Sequence, residues 1–388
     1  MPRDFDIILY GATGFTGRQT VAYFKQHAPS NLKWAIAGRN KLRLDALNAN
    51  VPILTADACD QQAIDAVVAR TSVLLSTAGP FAIYGTGIVD ACVRFKTHYA
   101  DITGETHWVR MLIDRYHEKA AADGTRIVPC CGFDSVPSDL GAMLIAQTLG
   151  PETREVKAFF KMRGGFNGGT LASMLNMYES GADKTMNDPF LLSPSISRTP
   201  SDPELDPSKE AYDTDAKCWT APFLMSKINT RVVRRSCAIE GGDFAYQEYT
   251  KIEGTLAGPL ALAMAAGGSL FSHAMESPTM RRVLRTISPA PGEGPSQHTM
   301  DTGWFRCEFL GKASNGRSAQ CIVSDQGDPG NRVTVKCLSE SALALALDQL
   351  PNRAGVLTPS TAIGEALVTR LRAQGMTLKC ETVCGARP

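Results

Sequence analysis

An apolar run of strand length, a glycine-rich turn, a helix and a second apolar run fill the first forty residues, and that order constrains the fold more than anything else in the chain. Phe5-Asp6-Ile7-Ile8-Leu9-Tyr10 breaks at Gly11-Ala12-Thr13-Gly14-Phe15-Thr16-Gly17-Arg18, and Ala35-Ile36-Ala37 later runs into Gly38-Arg39. In a strand–turn–helix of this kind the first glycine permits the tight turn. The second lets backbone approach a pyrophosphate, and the third lets helix pack on strand. The anion then sits on the helix N-terminus, where free N–H groups and the dipole favour negative charge. The spacing is G-x-x-G-x-x-G, a variant of the commoner G-x-G-x-x-G. Assigning Gly11, Thr13, Gly14, Phe15, Thr16, Gly17 and Arg18 to a dinucleotide turn therefore rests on the flanking strands and helix as much as on the glycines. A βαβ unit with a glycine-tolerant turn and no ligand is the plainer alternative.

The end of the second strand discriminates between cofactors. An acidic residue there bonds a ribose 2′-hydroxyl, whereas an arginine accommodates a 2′-phosphate. This chain has Gly38 and Arg39 and no acid until Asp45, with Arg18 and Lys41 as further cations. The guanidinium fork suits a phosphate, so NADP(H) is expected. Asp57, after a third short strand, falls where the adenine pocket of such folds is often closed, and equally where a plain loop aspartate would lie.

At 388 residues the chain exceeds one ordinary domain. A net charge of +1 without a long basic run argues against nucleic acid as a partner. Residues 1–6 run straight into the first strand without a secretory pattern, which predicts a cytoplasmic protein. The eleven cysteines form no C-x-x-C, and Cys380 with Cys384 has no nearby histidine. Reduced, mostly buried thiols and no metal site are expected.

Alternation of strand and helix continues through 52–57, 61–70, 73–81 (a strand ending in a turn), 85–96, 98–101, 107–122 and 126–131. That order predicts a Rossmann-type α/β fold, a doubly wound parallel sheet with its ligand at the carboxyl ends of the strands, over residues 1–137. From 138 to 354 a second, mixed α+β domain is predicted, for substrate and dimerisation, with strands at 155–162, 230–238 and 244–253. A hairpin of 304–310 and 318–324 closes at Asn315-Gly316. Residues 187–217, rich in proline, serine and aspartate, read as a long loop or lid. A helix over 358–373 and a strand over 376–383 are expected to return to the first domain as a tail of 355–388. Residues 254–275 carry no charge and would span roughly 30 Å as a helix. Glycines, alanines and Pro259 weaken them as a membrane span, leaving a buried or homodimer-interface helix or one in peripheral contact with a membrane, with Arg281, Arg282 and Arg285 just beyond.

Two further segments carry candidate chemistry. Ala78, Gly79 and Pro80 form a small-residue turn at a strand end, where backbone can meet a nicotinamide ribose, and Tyr84 lies just beyond. Asp134 and Ser135 follow the sixth strand, where Ser135 or Ser138 could cap a helix; a crossover loop is the simpler reading. No tyrosine has a lysine four residues later, which excludes the short-chain dehydrogenase mechanism, and no G-x-S-x-G elbow occurs.

Taken together, the turn from Gly11 to Arg18, Ala37-Gly38-Arg39, Ala78-Gly79-Pro80-Phe81 with Tyr84-Gly85, His98-Tyr99-Ala100-Asp101 with Thr103-Gly104-Glu105, and the run from Cys131 to Asp139 resemble the saccharopine dehydrogenase-like oxidoreductases. The chain is most similar to the branch of the trans-acting enoyl reductases, and Gly355-Val356-Leu357-Thr358-Pro359 extends the resemblance to the C-terminal end. The resemblance implies an NADP-type domain, a mixed second domain and frequent association with lipid or membrane. It leaves the substrate open. The expected reaction is hydride transfer from NADPH to an activated double bond, such as an enoyl thioester of a lipid-like small molecule. Tyr84 is the expected proton donor or oxyanion partner, Ser135 the second candidate, and Asp134 its orienter. Reduction of an imine or carbonyl, or NADPH sensing without turnover, are the alternatives.

Overall fold

Among the described residues fourteen strands divide between two sheets, and the strand order explains where a ligand can lie. The structure is a computed structural model that describes residues 3–165, 167–196, 198–287, 290 and 292–383. The first half runs β1 (Phe5–Tyr10), α1 (Phe15–His27), β2 (Trp34–Gly38), α2 (Lys41–Asp45), β3 (Ile53–Thr55), α3 (Gln61–Val68), β4 (Thr71–Ser76), α4 (Phe81–Phe95), β5 (His98–Asp101), α5 (Thr106–Ala122) and β6 (Arg126–Val128). Then follow α6 (Val136–Leu149), β7 (Thr153–Arg163), α7 (Gly168–Glu179), α8 (Ala182–Thr185), β8 (Ala211–Asp213), β9 (Cys218–Pro222), α9 (Ser226–Ile239) and β10 (Ala245–Ile252). The chain ends with α10 (Ala257–Glu276), α11 (Pro278–Ile287), α12 (Gln297–Thr302), β11 (Trp304–Ala313), β12 (Ser318–Gln326), α13 (Thr334–Leu347), β13 (Gly355–Val356), α14 (Pro359–Ala362), α15 (Glu365–Ala373) and β14 (Thr377–Val383).

The first sheet has the order β13-β6-β5-β4-β1-β2-β3, and its pairs are parallel. Chain order reverses between β1 and β4, so a crevice opens there at the carboxyl ends. Strand β1 is apolar on both faces because both are covered. Ile7 and Leu9 pack with Val21 and Phe24 of α1 and with α13. Ile8 and Tyr10 face Ile64, Ile88 and Leu112 of α3, α4 and α5. Fully burying such a side chain contributes about 1.5–3 kcal/mol. The second sheet, β14-β12-β11-β7-β10-β9-β8, is mixed: β7 and β10 are parallel and the other pairs antiparallel. The buried helix α6 lies on it, close enough that a side chain at Gly141 would strike the Phe309 ring at 2.2 Å.

Several expectations change on contact with the structure. The predicted strand over 230–238 lies within helix α9. Its β-branched Val232-Val233 pair reads as strand, but tertiary context overrides the propensity. Arg231, Arg234 and Arg235 of that helix are buried and reach carbonyls of the 186–206 segment. Arg231 donates to Met186 O at 2.7 Å and pairs with Asp206; Arg234 donates to Pro189 O and Glu204 O, and Arg235 to Leu192 O. Desolvation pushes Arg234 and Arg235 down to about 10. The proline-rich segment is thus pinned by three arginines along this stretch. The predicted C-terminal helix is broken at Gly364, whose φ of +59° ends one helix and starts the next. The tail divides between the sheets: β13 pairs with β6, whereas β14 pairs with β12. Cys384, considered above with Cys380, lies outside the described residues.

Residues 257–276 do form a helix, yet Leu260, Leu262, Met264 and Leu270 are exposed on it, and only Ala257, Ala261, Ala265 and Met275 are buried. Among the described residues no helix is long and apolar enough to cross a membrane.

Candidate active site

The glycine turn shows how little space its backbone leaves. Gly11 has φ +85°, and a Cβ there would lie 2.9 Å from Ala78 N. At Gly17 a Cβ would meet Gly11 O at 2.3 Å, so helix and turn touch through the missing side chain. At Gly14 the nearest atom would be Gly11 O at 3.4 Å, and the space beyond is open. Gly14 is also the N-cap of α1, and the first turn of that helix holds no acidic residue. The N–H groups of Phe15, Thr16 and Gly17 have no intrahelical acceptor, so an open, positively polarised pocket faces the crevice. These residues fit a pyrophosphate.

At the carboxyl end of β2, Gly38 is buried and Arg39 projects, exposed. Among the described residues no carboxylate lies within salt-bridge distance of Arg39, whereas Lys41 is paired with Asp45 at 2.9 Å. Arg18 is engaged elsewhere: its guanidinium donates to Thr13 O at 2.8 Å and Gly292 O at 2.9 Å. It therefore ties the turn to the loop around Gly294, which packs against the Phe15 ring. Thr16 is buried, and its carbonyl accepts from the Thr20 hydroxyl. Asp57 is exposed after β3 and accepts from Cys59 N in an Asx-type turn.

The opposite wall begins where β4 ends. Thr77 N donates to Tyr10 O at 3.0 Å and Thr77 Oγ1 to Gly11 O at 3.0 Å, so the two strand-end turns are bonded directly. Ala78, Gly79 and Pro80 then lead into α4, and Tyr84 lies one turn in, half-buried, its amide donating to Pro80 O. Pro80 is the N-cap of α4 and has no side chain able to cap it. That role falls to Glu105, a fully buried carboxylate accepting from Phe81 N at 2.8 Å, Ala82 N at 3.0 Å and the Ser173 hydroxyl at 3.0 Å.

Beyond β5 and β6 stand two more carboxyls. Asp101 accepts from the Tyr99 hydroxyl at 2.8 Å, Thr103 N at 2.9 Å and Cys130 N at 3.1 Å. Burial pushes it up to about 7, against the opposing pull of those bonds. Asp134 is half-buried and pushed up to about 6 by desolvation. Ser135 occupies the N-cap of α6, yet its buried hydroxyl bonds nothing, so it does not cap the helix through its side chain. No hydrogen bond joins Asp134 to Ser135 among the described residues. Sequence reasoning passed over Asp101 and Glu105 as site residues. Their signal was a carboxylate ending an apolar strand, with a second four residues later.

A doubly wound sheet with open space at its glycine turn, and an arginine after β2 that is unpaired among the described residues, fits an NADP-dependent oxidoreductase. Residues 7–128 match the family described as the saccharopine dehydrogenase NADP binding domain. A trans-acting enoyl reductase of Mycobacterium ulcerans is 35% identical, covering 96% of this chain and 97% of its own. A Mycobacterium tuberculosis protein, provisionally named in the same way, is 37% identical over 97% of this chain and 98% of its own. The solved saccharopine dehydrogenase (L-Glu forming) of Saccharomyces cerevisiae shares the fold, with a TM-score of 0.60 at 14% identity over 98% of this chain and 100% of that one. The chain belongs to the saccharopine dehydrogenase-like oxidoreductases, in the branch of the trans-acting enoyl reductases.

Proposed function

We propose that this protein uses NADPH to reduce the activated double bond of an enoyl thioester on a fatty-acyl or polyketide-type chain. The names of its full-length relatives support the reaction type. The structural observation that carries the reading is a set of polar side chains with no hydrogen-bond partner among the described residues, on one rim of the first sheet. Tyr84 follows β4, and Asp134 and Ser135 follow β6, with only β5 between those strands.

The bound cofactor supplies the hydride. The open first turn of α1 would hold the pyrophosphate, Arg39 would meet the 2′-phosphate, and the Ala78–Pro80 backbone would line the nicotinamide side. Reduction of an enoyl thioester leaves an enolate, which needs an oxyanion partner and then a proton. Tyr84 serves as donor or oxyanion partner, and the Ser135 hydroxyl, desolvated and uncommitted, is the second candidate. Asp134, on the same loop as Ser135, is the remaining carboxyl there, and burial raises it to about 6.

A lipid-like substrate also fits the exposed leucines of α10. We place that face, with Arg282 of α11, which has no carboxylate partner among the described residues, against an anionic membrane surface.

The test is NADPH consumption with a trans-2-enoyl thioester, compared with an amino acid plus keto acid mixture and a simple ketone. Tyr84→Phe is expected to lower kcat by about a hundredfold, the lower end of what one proton-transfer group contributes, with NADPH affinity unchanged. Turnover with the imine-forming mixture alone would replace the enoyl reading.

A further inference from the structure

We propose that Glu105 is the positioning residue for the nicotinamide half of NADPH. The proposal rests on reading the crevice between β1 and β4 as the cofactor site, and it is independent of which substrate is reduced. With the pyrophosphate on α1 and the 2′-phosphate at Arg39, the nicotinamide half lies on the β4 side, against Ala78, Gly79 and Pro80. No side chain of the turn itself caps the helix that follows it. That helix begins at a proline, whose side chain neither donates nor accepts.

Glu105 supplies the missing acceptor from 24 residues away in sequence. One oxygen accepts from Phe81 N and the Ser173 hydroxyl, the other from Ala82 N. The side chain is fully buried, and among the described residues no cation pairs with it. A buried, unpaired carboxylate is costly unless its lone pairs are met, and here N–H groups at a helix N-terminus meet them. Its own backbone is fixed in turn: Glu105 N donates to Thr103 Oγ1 at 3.0 Å, and Thr103 N to Asp101 at 2.9 Å. Ser173 belongs to α7, outside the first sheet, and its hydroxyl lies 3.8 Å from where a Cβ on Gly79 would stand. One carboxylate therefore fixes the start of α4 and holds α7 against the same turn. Asp101 and His107 are titratable neighbours that feel its charge.

The test separates the two halves of the cofactor. Wild type, Glu105→Gln and Ser173→Ala are titrated calorimetrically with NADPH and with adenosine 2′,5′-bisphosphate, which lacks the nicotinamide half. Glu105→Gln puts an N–H donor among donors and is expected to weaken NADPH at least tenfold, leaving the bisphosphate within twofold. Ser173→Ala keeps the carboxylate and is expected to weaken NADPH about threefold, again sparing the bisphosphate. The emission of bound NADPH, which reports the surroundings of the reduced ring, should shift toward that of free NADPH in Glu105→Gln. Equal loss of both ligands would mark Glu105 as merely structural, and unchanged NADPH affinity in both variants would overturn the proposal. If Glu105→Gln does not fold, Ser173→Ala alone decides. Wild type binding neither ligand would remove the crevice reading, and the proposal with it.

Discussion

Helices α1 and α4 both start at the carboxyl end of a strand, on either side of the β1–β4 crevice, yet their N-termini are treated in opposite ways. At α1 the N-cap is Gly14, no acidic residue occupies the first turn, and the space beyond is open. At α4 the N-cap is Pro80, and the N–H groups of Phe81 and Ala82 are taken by Glu105. Both ends have the same attraction for an anion. The chain fills one with its own carboxylate and places none at the other. Anion affinity is thereby confined to one end of the crevice, and the other end becomes a rigid wall.

The largest expected effect breaks the open end. In Gly14→Val the new Cβ meets no atom closer than Gly11 O at 3.4 Å, so the fold is expected to persist while the side chain fills the space a pyrophosphate needs. Calorimetry should find NADPH binding lost, with the melting temperature close to wild type. Gly17→Ala is the counterpart, because its Cβ would strike Gly11 O at 2.3 Å. Overpacking of that kind costs about 1–3 kcal/mol of stability, readable in denaturant melts. A folded Gly14→Val that still binds NADPH would undo the contrast.

Arg39→Ala sharpens the open end further. Losing a charge-assisted bond to the 2′-phosphate should cost NADPH about 1.5–3 kcal/mol and NADH almost nothing. Parallel titrations of the two cofactors check this; equal losses would place the 2′-phosphate elsewhere.

The smallest effect concerns the carboxyl that no N–H satisfies. Asp134 is held near 6 by burial, above its ordinary 3.8, so the folded state binds its proton more tightly than the unfolded chain does. Stability then falls as pH rises from roughly 4 to 6, and the cost is fully present above that window. Asp134→Asn should add about 1–2 kcal/mol at pH 7.5, allowing for its partial exposure, and little at pH 4. Melts at both values decide; a gain equal at each pH would point to packing instead.

The glycine turn, the alternating strands and helices of the first sheet, and the hairpin at Asn315-Gly316 were legible because each is written in neighbouring residues. Helix α9 was not, because Val232-Val233 signals strand locally, while its three arginines are explained only by carbonyls near 186–206. Helix α13 was also unforeseen, and it packs on β1, β4 and β5 from far along the chain. The cation after the second strand is plain beside Gly38, whereas the engagement of Arg18 by Gly292, a partner 274 residues away, is not.

The sequence by itself determined the backbone grammar of this protein: where a strand breaks into a phosphate-sized turn, which residues lack side chains there, and which cation follows the second strand. Those follow from steric and hydrogen-bonding rules that act within a few residues. Only the tertiary structure decided which helix N-terminus stays open and which is occupied. That choice depends on a carboxylate 24 residues from the helix it caps. Whether a buried charge is tolerable depends on which donors the fold brings to it, and no local pattern carries that information.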